Sequence, residues 1–287
     1  MSIKRFQINA AQVGLDVQTF LSGRIRGIGP RRIEVALHRG LITLNGLRIR
    51  TNTLLNKGDV LEFEFSYFQK DKIFPEAIRL DIVYEDEDLI VVHKPSGMAC
   101  HAGLGVYSGT LLNALAFHFQ NQLGENLPNG LVHRLDRGTS GLMVVAKTTL
   151  AFHALSQQVK KGELKRRYFA ASHALPKENN GTIDAPIGRN PEQTEKIEIR
   201  SDGKKAITHY KLLSESLDLK LFECQTEFGR THQVRIHMAS IGAPLLGDQR
   251  YGGKDAERLH LCASFLSFYH PKDGHIREYR LAQADFL

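Results

Sequence analysis

The sequence predicts an α+β protein, with a small basic α+β module at the N-terminus and a larger, mostly antiparallel mixed-sheet domain behind it. Three observations predict this. Asn45-Gly46 separates two short alternating segments, a strong hairpin signal. Strand-like and helix-like runs are mixed without the regular βα alternation of a doubly wound fold. Hydrophobic residues make up 42% and charged residues 24% of 287 residues, enough apolar material for one or two cored domains.

Residues 11–67 form the first set of elements. Val17, Phe20, Leu21 and Ile25 follow helical spacing. Gly27, Gly29 and Pro30 break that run. Ile33, Ala36 and Leu37 form a second stripe flanked by Arg31, Arg32, His38 and Arg39, and Gly40 suits its C-terminal cap. Ile42-Thr43-Leu44 and Leu47-Arg48-Ile49-Arg50 flank the Asn-Gly turn. After Gly58-Asp59, the residues Leu61, Phe63 and Phe65 alternate with Glu62 and Glu64, as in a strand with one buried face.

The formal net charge is +7, and its position is informative. Residues 1–70 carry 11 basic and 5 acidic residues, whereas residues 71–287 carry 27 and 26. The excess sits in the first quarter and points to a polyanionic partner. Cys100, Cys224 and Cys262 are scattered and odd in number, which fits a reducing compartment better than a disulfide framework. No apolar leader is visible in MSIKRFQINA. Ser96 to Gly124 runs 29 residues without Asp, Glu, Lys or Arg, but its histidines, five glycines and amides favour buried loop plus helix over a membrane span. A cytoplasmic protein without membrane contact is expected.

Residues 71–80 are expected as a linker between a module at 1–70 and a domain at 81–287. There, Ile82-Val83-Tyr84 and Leu89 to Val92 suggest two strands, and Leu111, Leu112, Leu115 and Phe119 a helix. Leu142 to Ala146 reads as a buried strand, and Phe152, Leu155 and Val159 share a helical face. Tyr168 to Ala174 and Leu219 to Gln225 suggest further strands. Thr231 is the expected cap of a helix bearing Val234, Met238 and Ile241 and ended by Gly242 and Pro244.

The segment His133-Arg134-Leu135-Asp136-Arg137-Gly138-Thr139-Ser140-Gly141 sets a carboxylate among arginines beside an apolar strand. Polar groups so placed need partners or a task. The order H-R-L-D is not a kinase H-R-D loop, and no G-x-S-x-G elbow occurs. His232 and His237 are five apart without an H-E-x-x-H pattern, so no metal is expected. Gly103, Gly105 and Gly109 do not form a dinucleotide fingerprint.

HRLDRGTSG closely resembles the signature of the RluA-type pseudouridine synthases. Lys94-Pro95-Ser96-Gly97-Met98 and Gly109 to Leu115 precede it in that family's order. Arg166-Arg167-Tyr168, Gly203 to Tyr210, Gly229 to His237, Pro244 to Asp248 and Leu259-His260-Leu261 follow. The resemblance spans about residues 81–281. Residues 13–67 resemble the S-four type RNA-binding module of a ribosomal small-subunit protein, through RRIEVALHRGLITLNG and NKGDVLEFEF. Together these resemblances imply a cofactor-independent, monomeric isomerase of uridine in structured RNA, ribosomal RNA first and transfer RNA second. They imply Asp136 as the essential carboxylate, acting as nucleophile or as the base that starts elimination. Arg230 is implied as its ion-pair partner and Tyr168 as the ring facing uracil. Arg134 would fill the space left by the displaced base, and Arg31, Arg32 and Arg39 would contact RNA, with Arg24 and Arg26 beside them. The usual K-x-Y is Arg166-Arg167-Tyr168 here. Two other outcomes follow from the same residues: an RNA-binding or remodelling protein with an inactive enzyme fold, and an N-glycoside hydrolase that frees uracil.

Overall fold

The computed structural model describes residues 3–25, 30–64, 73, 75–102, 106, 108–119, 130–193, 196–283 and 286. Two compact units result, Met1–Phe74 and Pro75–Leu287.

In the first unit, β1 (Ile3–Gln7) precedes α1 (Val17–Arg24) and α2 (Pro30–His38). β2 (Ile42–Leu44), β3 (Leu47–Ile49) and β4 (Val60–Glu64) complete an antiparallel sheet in the order β1-β4-β2-β3. Asp16 starts α1 by accepting the Thr19 N–H at 2.6 Å, satisfying one of the helix's free donors. Asn45 and Gly46 both take positive φ, which the tight hairpin requires. The helical stripes meet the sheet at Phe20, Leu21, Ile33, Leu37, Leu61 and Phe63, all buried. β1 is an addition to the expected elements. Its residues are mostly exposed, so the backbone ladder to β4 holds it together with one apolar anchor, Phe6, whose ring meets those of Phe20 and Phe63. Arg26 and Phe65 lie outside the described residues, as do residues 71, 72 and 74 of the linker expected at 71–80.

The second unit runs β5 (Asp81–Glu85), β6 (Leu89–Lys94), α3 (Leu111–Phe119), β7 (Ser140–Ala146), α4 (Thr149–Lys161) and β8 (Lys165–Ser172). It continues through β9 (Asn180–Asp184), β10 (Ile187–Arg189), β11 (Ile197–Ile199), β12 (Ile207–Glu215), β13 (Lys220–Thr226), α5 (Gln233–Ser240), β14 (Leu261–Tyr269) and β15 (Ile276–Arg280). Nine strands form one sheet, β5-β6-β7-β14-β8-β13-β12-β9, with β15 also on β14; β10 and β11 pair separately. Every pairing is antiparallel except β7 with β14, in keeping with the expected mixed sheet. No described helix is long and apolar enough to cross a membrane.

All seven residues of β7 are buried, as its continuous apolar run requires of a central strand. α4 covers this region with Ala151 and Leu155 against Leu142, Val144 and Leu266. Where β7 meets β14, Gly141 takes φ +120°, and a Cβ there would lie 2.3 Å from the Ala263 backbone nitrogen. Gly141→Ala is therefore expected to cost roughly 2–5 kcal/mol through backbone strain and forced strand separation. Urea unfolding measures it, and a loss under about 0.5 kcal/mol would remove this account of the glycine.

The helix expected to be capped by Thr231 begins two residues later, at Gln233. Its N-cap is His232, in the left-handed region at φ 58°, and makes no side-chain cap bond. Gln233 instead folds back to accept the Arg230 N–H at 3.0 Å. The three cysteines are buried and lie in no disulfide.

Candidate active site

The loop bearing Asp136 is fastened before it reaches β7. His133 Nε2 accepts the Val144 N–H at 3.1 Å. Burial, with the nearby Arg166 cation, pushes the His133 pKa down to about 3, so the imidazole is neutral. The Cys100 thiol donates to the Leu135 carbonyl at 3.2 Å, and Ser96 Oγ donates to the Gly138 carbonyl at 2.7 Å. Lys94 is fully buried, and its Nζ donates to the carbonyls of Pro95 and Met98, both at 2.8 Å, and more distantly to that of Arg137. Burial lowers the Lys94 pKa to about 8. The Lys94-Pro95-Ser96-Gly97 turn thus serves as a socket for the Asp136 loop.

Asp136 opens into a cavity of about 120 Å³. Tyr168 lines it from β8, Thr226 from the end of β13, Leu261 from the start of β14, and Arg230 to Val234 from the approach to α5. The sheet order explains the meeting. β7, β14, β8 and β13 are consecutive neighbours, so a loop entering β7 and a turn leaving β13 reach the same end.

The guanidinium that pairs with Asp136 is Arg235, with Nη1 at 3.7 Å from Oδ2, rather than Arg230. Arg235 in turn forks onto Asp248, with Nε and Nη2 each at 2.7 Å from a carboxylate oxygen. The Tyr251 ring lies under its guanidinium at 5.1 Å. Arg230 lines the cavity, but its Nε donates to the Lys205 carbonyl at 3.0 Å and its guanidinium lies over Phe228. Between these arginines the chain turns, with the Gln233 N–H donating to the Arg230 carbonyl at 3.2 Å, His232 in the left-handed region and the His232 N–H meeting the Asp136 carboxylate.

Burial raises the Asp136 pKa above the ordinary aspartate value, against the opposing Arg235 and Arg134 cations and the His232 N–H. His232 Nε2 also stands 3.9 Å from Asp136, but burial and surrounding arginines push its pKa down to about 3. It is a neutral neighbour, not a counter-ion. Its Nδ1 meets the Tyr251 hydroxyl at 2.7 Å. His237 is wholly buried between Thr208 and the Ala185 carbonyl and takes no part in the cavity.

Of the residues singled out by sequence, Asp136, Tyr168, Arg134 and Arg230 share this cavity. Arg134 is exposed at its rim. Arg32 and Arg39 are partly exposed in and just after α2; Arg31 begins the same helix, but its side chain lies outside the described residues. Arg24 is exposed beside Phe6 and Phe20. The sequence argument missed Arg235, Asp248 and Arg166, although all three lie in the segments that carried the resemblance. No group of three or more His, Cys, Asp or Glu side chains placed to hold a metal occurs among the described residues.

A carboxylate set in a base-sized hollow, with an aromatic wall and arginines around it, defines an enzyme that works on a nucleobase within a polyanion. The family model described as RNA pseudouridylate synthase matches residues 88–240, more than half of the chain, and the chain belongs to that family. The uncharacterized RNA pseudouridine synthase YlyB of Bacillus subtilis is 37% identical, over 92% of this chain and 88% of its own length. Ribosomal large subunit pseudouridine synthase D of Zymomonas mobilis is 44% identical, over 70% of this chain and 68% of its own. Human RNA pseudouridylate synthase domain containing 1 superposes with a TM-score of 0.59 at 25% identity, covering 72% of this chain and 85% of its own. The protein is an RNA pseudouridine synthase with an α+β fold.

Proposed function

We propose that the protein converts uridine to pseudouridine in large-subunit ribosomal RNA, with Asp136 as the reacting carboxylate. The observation that carries the role of Asp136 is its place in the cavity: a largely buried carboxylate that shares the hollow with Tyr168 and is held by Arg235. The choice of RNA rests on relatives named as ribosomal large subunit enzymes, among them that of Pasteurella multocida, 32% identical over 95% of this chain.

The reaction breaks the bond from ribose C1′ to uracil N1 and forms one from C1′ to C5. C5 gives up its proton to water, and N1 takes one. Ionised Asp136 starts either route, by adding to the sugar or by removing the proton that begins elimination. The Tyr168 ring walls the base while it turns. A stacked uridine cannot reach Asp136, so the nucleotide leaves the helix at a cost of a few kcal/mol. Arg134, charged, planar and exposed at the rim, is placed to fill the gap and offset part of that cost.

The N-terminal unit serves as an S-four type RNA-binding module. Arg31, Arg32 and Arg39 supply phosphate contacts, and the whole acts in the reducing cytoplasm. Its support is the order of two helices, Asn-Gly hairpin and strand, together with its charge.

RNA labelled with tritium at uridine C5 tests both parts. The wild-type protein is expected to release label from an unmodified large-subunit transcript without freeing uracil. Deleting residues 1–74 is expected to weaken binding and flatten its salt dependence. Free uracil as product, or no release above background, sinks the isomerase assignment; an unchanged salt slope sinks the role of the module.

A further inference from the structure

Arg166 is a buried cation with no anion beside it among the described residues. It lies in β8 two residues before Tyr168, hence on the same face of the strand. It is 7% exposed. Its guanidinium makes no hydrogen bond or ion pair with any other described residue, and its Nε is buried without an acceptor. Gly229 leaves the room it occupies: a Cβ at 229 would stand 2.5 Å from Arg166 Nη2. A guanidinium cannot shed its proton at any working pH, so burying it unpaired is costly unless something else brings the charge.

No described residue nearby does. His133 is neutral, and because its Nε2 accepts from Val144, its Nδ1 carries the hydrogen. That Nδ1 is a second buried donor without an acceptor. Arg166 lines both the Asp136 cavity and an adjoining groove of about 960 Å³. The groove is also lined by Arg134, Lys160, Lys161, Lys165 and Arg230, against one carboxylate, Glu227. The second unit is nearly neutral as a whole, but this groove is strongly cationic.

We infer that Arg166 is the binding site for a backbone phosphate of the RNA strand that delivers the flipped uridine, at the junction of the Asp136 cavity and the basic groove. A phosphodiester supplies the missing anion and a planar pair of acceptors for the guanidinium fork. The groove cations then follow the strand away from the cavity. This rests on the assignment of the protein as an RNA enzyme.

The test uses the full chain, an unmodified large-subunit ribosomal RNA transcript, and the variants Arg166→Gln and Arg166→Lys. Binding is measured across a potassium chloride series. Arg166→Gln is expected to lower the slope of log affinity against log salt by about 0.7–0.9, the value for one lost phosphate contact, with Arg166→Lys keeping most of it. Without RNA, the melting temperature of Arg166→Gln should equal or exceed that of the wild type, since an unpaired buried charge is removed. An unchanged slope, or a melting temperature that falls while the slope holds, overturns the inference in favour of a structural strut. Inorganic phosphate separates the two sources of this chemistry. If it stabilises the wild type but not Arg166→Gln while the RNA slope is unchanged, the site takes free phosphate, and the inference fails. Label release by the wild type on the same transcript reports separately on the isomerase assignment.

Discussion

Asp136→Asn should abolish pseudouridine formation while leaving the protein as stable as before, or more so. Asparagine keeps the shape but neither adds to a sugar carbon nor accepts a proton from one. Losing a reacting group of this kind costs on the order of 10⁴-fold or more in rate. Stability goes the other way. Burial raises the folded-state pKa of Asp136 above its unfolded value. A group shifted in that direction favours the fold at low pH, and the contribution is lost as pH rises through the folded value. Above that folded value the ionised carboxylate therefore weighs against folding, and Asn relieves it. The same shift sets the acid limb of the wild-type rate: activity should fall, on acidification, at a pH above the ordinary aspartate range. Single-turnover label release and thermal melting of the variant, with a wild-type pH–rate profile, check all three. A variant that unfolds, or one that retains activity, removes Asp136 from the role given to it.

Arg235→Gln is expected to damage both stability and catalysis, and Arg230→Gln far less. Arg235 ties Asp136 to Asp248, whose side chain is only 1% exposed. Removing one partner of such a buried pair strands the other charge, at about 3–5 kcal/mol. Loss of the Arg235 cation should also raise the Asp136 pKa further, moving the acid limb of activity to higher pH. Arg230 offers a carbonyl contact and a ring contact at a partly exposed position, worth about 1 kcal/mol. Chemical denaturation and pH–rate profiles of the two variants decide the matter. If Arg230→Gln shifts the acid limb and Arg235→Gln does not, the pairing described above is wrong.

What the sequence disclosed and what it hid divide along physical lines. α1, α2, the Asn-Gly hairpin, β7 and α4 announced themselves, because each has a local signal: a helical stripe, a positive-φ turn or a continuous apolar run. β1 did not, since its residues are mostly exposed and it is held by the distant ladder partner β4 and a single core contact through Phe6. β12 alternates only over its first half, and β14 draws its burial from neighbours on both sides. In the site, the HRLDRGTSG segment led to Asp136 through resemblance. The choice between Arg230 and Arg235 was not legible, because it depends on tertiary partners, the Lys205 carbonyl for one and Asp248 for the other, that no local pattern signals. Arg166 stayed hidden for the opposite reason: what sets it apart is an anion missing among the described residues, and only packing reveals that.

The socket beneath the Asp136 loop has a consequence for which RNAs react. Bonds from Lys94, Ser96 and Cys100, with His133 accepting from Val144, fix that loop to rigid strands and turns at several points. A carboxylate held this firmly does not travel to meet its target, so the displacement needed for reaction falls on the nucleic acid. Uridines already loosened by a bulge, a mismatch or a hairpin loop surrender their stacking most cheaply, and are expected to react faster than the same uridines in continuous duplex.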